Sequence, residues 1–130
     1  MSYYFSRTLA TGFDDAVHRV TEALKREGFG IITEIDVKDT FKKKIGVDFR
    51  QYRILGACNP ALAHEALAIE DKVGTMLPCN VIVQALDGRG VEVAAIDPVA
   101  SMQAIDNPRL KSTAEGVRAR LRKVIDGLSP

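Results

Sequence analysis

The stretch Tyr52 to Leu86, YRILGACNPALAHEALAIEDKVGTMLPCNVIVQAL, holds both cysteines of the chain and reads as strand, helix, loop and strand, so the other elements must be organised around it. Tyr52 to Ala57 is rich in β-formers and breaks at Cys58-Asn59-Pro60 into PALAHEALAIE, a run of strong helix formers. Asn59 is a preferred N-cap, and Pro60 suits the first helical position, where a missing N–H costs nothing. Cys58 therefore stands just before a helix start, whose partial positive charge favours a reactive thiol. Pro78 cannot donate to a sheet ladder, so LPC opens the next strand, and Cys79 is its first residue. If the two strands pair antiparallel, Cys58 and Cys79 share one end of the sheet; if parallel, they lie at opposite ends.

With 130 residues the chain falls in the single-domain range and buries one proper core, so one α+β domain over residues 1–130 is expected. A net charge of +1 argues against a general nucleic-acid binder, whose affinity comes from many phosphate contacts. No apolar run approaches the ~18 residues that span a bilayer. The N-terminus, MSYYFSRTLATG, lacks a charged start followed by an apolar block. A cytoplasmic protein with reduced cysteines, no nucleic-acid partner and no membrane partner is the expectation.

Along the rest of the chain the patterning is regular. Tyr3 to Ala10 reads as a first strand, and Thr11-Gly12-Phe13-Asp14 has capping-box spacing. Phe13, Ala16, Val17, Val20, Ala23 and Leu24 recur at three- and four-residue steps, an amphipathic helix that Gly28 ends as a left-handed cap. Phe29 to Val37 is a second strand with Ile31, Thr33, Ile35 and Val37 on one face. Lys38 to Ile45 is a short helical turn whose Lys42-Lys43-Lys44 triplet reads as a solvated face. Asp87-Gly88-Arg89-Gly90 turns a hairpin between Asn80–Leu86 and Val91–Ile96. Ser101 to Ile105 reads as a further short turn, and Asn107-Pro108 starts a long helix to about Gly127. The order β-α-β-(α)-β-α-β-β-α predicts a two-layer α+β fold, with five strands and the first and last helices covering one sheet face.

The segments LGACNPALAHEAL, GTMLPCNVIV and GFGIITEIDV, with the closing hairpin and its proline, resemble the domain of unknown function 302 family of mainly bacterial and archaeal proteins. The resemblance spans nearly the whole chain. It implies a single copy of a TATA-binding-protein-like fold with extra helices, a mainly antiparallel sheet that brings the thiols to one end, and a tendency to dimerise. It implies no reaction, because the family has no established activity, and the fold name carries no implication of DNA binding.

Three readings of the cysteine pair are compatible with the residues: small thiols packed in the core, a thiol site that binds a small ligand or does redox chemistry from Cys58, and a metal site. A metal would need His64 or His18 beside Cys58 and Cys79, since CxxC spacing is absent, and none is expected. His64 follows Pro60 by one turn and faces either Cys58 or solvent. Asn59 and Asn80 each follow a cysteine, so their amides are candidates to line the same pocket. No Ser-His-Asp, P-loop or GxGxxG pattern occurs, and the cofactor is unknown. The best-supported function is a small cytosolic binding or accessory module with a site at Cys58 and Cys79, and a thiol-dependent enzyme is the runner-up. A one-sided sheet leaving Tyr4, Ile32 and Leu55 uncovered predicts a homodimer.

Overall fold

The structure is a computed structural model and describes residues 2–130. Its strands are β1 (Tyr4–Leu9), β2 (Gly30–Asp36), β3 (Tyr52–Cys58), β4 (Cys79–Leu86) and β5 (Gly90–Ile96). Its helices are α1 (Phe13–Arg26), α2 (Val37–Ile45), α3 (Pro60–Ile69), α4 (Pro98–Ser101) and α5 (Pro108–Asp126), with a 3₁₀ helix over Asp71–Met76. The strands form one sheet in the order β1-β5-β4-β3-β2, and every neighbouring pair is antiparallel.

The period-2 alternation of the strands divides the sheet into a covered and an open face. Leu55, Ala57, Cys79, Val81, Val83, Val91, Val93 and Ala95 point into one cluster with Ala16, Val20 and Leu24 of α1 and Leu121, Val124 and Ile125 of α5. That is the helix-covered layer the sequence predicts. Leu55 belongs to it, at 1% exposure, and so does not lie on the open face. The reason is register: Leu55 stands opposite the core residue Val81, and strand alternation gives both the same face.

The last helix is tied to the first strand at its carbonyl end. Arg7 Nη1 donates to the carbonyls of Asp126 and Leu128, both at 2.7 Å, supplying a cation and donors where α5 leaves its final carbonyls unpaired.

Four local expectations are corrected. A β-bulge between Ile31 and Thr33 reverses the strand phase, so Ile31 pairs with core-facing Ala57 while Thr33 and Ile35 pair with Gly56 and Ile54 on the open face. Val37 is the first residue of α2 rather than the end of β2, because Asp36 Oδ1 accepts from Asp39 N and starts the helix there. Thr11 makes no capping box; Gly12 is the N-cap, and the Thr11 hydroxyl donates to Asp15 Oδ2 at 2.6 Å. The short helix after β5 comes earlier than Ser101–Ile105, at Pro98–Ser101, because Asp97 accepts from Val99 N and Pro98 takes the first helical position.

Gly56 marks a close approach on the open face. A Cβ there would collide with Thr33 Oγ1 and come within 2.7 Å of Pro78 Cγ. Gly56→Ala is therefore expected to destabilise the fold by about 1–3 kcal/mol through overpacking. Urea unfolding checks this, and adding Thr33→Ala should recover part of the loss.

Candidate functional site

Cys58 and Cys79 come to the same end of the sheet because Ala57 stands opposite Cys79 in the β3–β4 ladder. The chain leaves β3 at Cys58 and turns into α3 at once: Asn59 Oδ1 accepts from Leu62 N at 3.2 Å, and Pro60 is the first helical residue. Returning through the 3₁₀ helix, it re-enters the sheet at Leu77-Pro78-Cys79.

Between this excursion and the main core lies a cavity of about 280 Å³. The molecule carries two apolar clusters, and the cavity separates them. One is the sheet core, which contributes Phe29, Ala57 and Cys79; the other, built from Ala66, Val73, Met102, Leu110 and Ala114, contributes all but Val73. The gap has a local cause. α3 presents Leu62, Ala63, Ala66 and Leu67 to the space, and the two short alanine side chains between the leucines leave it unfilled. The 61%-exposed Ile32 also lines the cavity, set there by the β2 bulge.

The lining is almost wholly apolar, its polar atoms confined to Cys58, Asn59, Cys79 and Thr113. Thr113 is buried; its hydroxyl donates to Glu65 Oε1 at 3.1 Å, joining α5 to α3 across the site. Asp97, also buried, pairs with Arg118 at 3.4 Å and so holds α4, which carries Pro98 and is followed by Met102, against α5. Burial, and secondarily the charge of Cys58, raises Cys79 from 9.0 to about 11. Cys79 thus stays a neutral thiol near neutral pH and suits packing against an apolar ligand better than nucleophilic attack. Cys58 is half-buried, and both cysteines are free thiols.

Of the residues singled out in the sequence, Cys58, Asn59 and Cys79 are brought together and line the cavity. Asn80 is not with them. It follows Cys79 by one strand position, so it points to the open face and lines a separate hollow there with Tyr4, Tyr52 and Ile82. His64 is exposed on α3 and does not line the cavity, while His18 is exposed on α1. Among the described residues no group of three or more His, Cys, Asp or Glu side chains is placed to hold a metal. Sequence reasoning missed Phe29, Met102, Leu110, Thr113 and Ala114. They read as ordinary core periodicity, and only the tertiary fold brings them to this space.

The family model described as "Domain of unknown function DUF302" matches residues 5–128. The chain belongs to the DUF302 family. It is also similar to the crystal structure of an uncharacterised conserved DUF302 protein from Bacillus stearothermophilus, at 29% identity and a TM-score of 0.90, over 97% of this chain and 98% of that one. No curated protein matches. Membership of DUF302 thus accounts for the fold and leaves the chemistry to the site itself. Among the described residues no helix is long and apolar enough to cross a membrane.

The raised Cys79 pKa has a consequence for alkaline stability. Between pH 9 and 11 the folded state keeps a proton that the unfolded state releases, so stability falls as pH rises through that window. Relative to Cys79→Ala, the wild type should lose roughly 1–2 kcal/mol between pH 8.5 and 10.5. Urea titrations of both proteins at pH 8.5 and 10.5 check the sign and the size.

Proposed function

We propose that this DUF302 protein is a small binding module whose ligand site is the thiol-lined cavity beneath α3. The observation that carries the reading is the unfilled apolar space between two otherwise packed clusters, with Cys58 and Cys79 on its wall. Interiors normally pack with few voids larger than a water, and an apolar cavity of this size suits a small apolar guest. A thiol that stays neutral near pH 7 suits the wall of an apolar ligand site. Free thiols are consistent with a reducing, cytoplasmic compartment.

Indole, an uncharged probe of the right size, should slow iodoacetamide labelling of Cys58 at neutral pH, with Ala66→Leu reducing the protection by filling the space. Labelling that is unaffected by saturating indole, or equal protection in the Ala66→Leu protein, would count against the cavity as a binding site.

The module also acts as a homodimer in this reading. The open face carries Tyr4, Ile35, Ile54 and Ile82, and Tyr4 and Ile35 are exposed. Near them a polar chain runs from Arg50 Nε to Gln84 Oε1 at 2.9 Å and from Gln84 Nε2 to Glu92 Oε1 at 2.8 Å. An apolar patch with a polar border matches the anatomy of association surfaces. Light scattering at micromolar concentration should give twice the chain mass, and Ile35→Glu with Ile82→Lys should return the monomer with its circular dichroism unchanged.

A further inference from the structure

Gly28 closes α1 with φ +85°, and its missing side chain lets the Asn59 amide pack directly against it, beside the cavity-lining Phe29. A Cβ at this position would lie 2.9 Å from Asn59 Nδ2 and 3.8 Å from Arg120 Nη1. An amide and a guanidinium therefore flank the same point. Asn59 lines the cavity, Phe29 next to Gly28 lines it too, and Arg120 lies one turn along α5 from the lining residue Val117. The Asn59 oxygen is already engaged as the α3 cap, so its amide nitrogen is the end left to a ligand. Arg120 Nη1 donates to the Glu27 carbonyl at 3.2 Å, which holds the guanidinium beside Gly28 with its other N–H donors open. The first turn of α3, in which only the Ala61 N–H is left without a partner, starts at the same place.

An amide and a guanidinium beside an apolar, uncharged cavity form the pattern an amphipathic anion requires. An apolar cavity of roughly 150 Å³ takes benzene, so 280 Å³ scales to about ten or eleven carbons. Resting on the cavity reading above, we infer that the ligand is a medium-chain monocarboxylate, its chain in the cavity beside Cys58 and Cys79 and its carboxylate at Asn59 and Arg120. Binding is reversible and needs no covalent step. The guanidinium fork and the Asn59 amide match the two carboxylate oxygens, and water remains at the exposed Arg120 side, so the charge is not buried.

Calorimetric titration of the full chain with hexanoate, octanoate, decanoate and decanol tests the inference. Affinity for the acids should rise about three- to fourfold per methylene until the cavity is full. Arg120→Gln should weaken decanoate roughly three- to tenfold and leave decanol unchanged, with Arg120→Lys intermediate. Added salt should weaken decanoate alone. If decanoate and decanol bind alike and neither responds to Arg120→Gln, the carboxylate assignment is overturned while the cavity reading stands. If no compound binds, or if Ala63→Phe and Ala66→Leu bind as the wild type does, the cavity reading falls as well. Two filling variants are used so that a folding defect in one leaves the test intact.

Discussion

The pairing of Ala57 with Cys79 is the constraint on which the rest of the molecule hangs. It fixes which residues of β3 and β4 face the helices, because a one-residue slip would turn either Leu55 of β3 or Val81 and Val83 of β4 out of the core. It also sets where the chain must leave and re-enter the sheet, and hence where α3 and the 3₁₀ helix are suspended. The second apolar cluster exists because that excursion needs something to pack on and finds Leu110 and Ala114 of α5. The cavity is what remains between two cores anchored at one register but filled independently.

Much of the scaffold was legible in the sequence. Helix starts were readable from side-chain chemistry that acts within three residues: Asn59 with Pro60, and Asn107 with Pro108, both begin helices as their types require. Strand order was harder to read, and the antiparallel arrangement came from family resemblance rather than from periodicity. The bulge at Ile31/Thr33 escaped because inserting one residue leaves the composition unchanged while reversing every later face. Leu55 is not placed by its pattern for a related reason, since alternation tells which residues share a face but not which face meets the helices.

The site was legible only in part, and the division is physical. Cys58, Asn59 and Cys79 are close in space because they sit at the two ends of one local excursion, a relation the spacing carries. Asn80 was grouped with them by sequence proximity, yet one step along a strand crosses the sheet. Arg120 and Gly28 lie 92 positions apart and meet only because α5 packs beside α1. Each has a plain local explanation, a charged helix face and a helix terminator, and neither suggests a site until the two are seen together.

The Arg7 clamp on the end of α5 carries a consequence for how the molecule is made. β2, β3, β4 and β5 form a meander in which consecutive strands pair, so local contacts suffice to assemble them. β1 pairs only with β5, and its arginine waits for carbonyls at Asp126 and Leu128. During synthesis the first strand therefore emerges long before either of its partners: its backbone stays unpaired until β5 has left the ribosome, and Arg7 until the end of α5 has followed. Its Tyr4-Phe5-Ser6-Arg7-Thr8-Leu9 sequence sets three consecutive polar residues, Ser6, Arg7 and Thr8, between Phe5 and Leu9, which limits the adhesiveness of an edge that must wait for its mate.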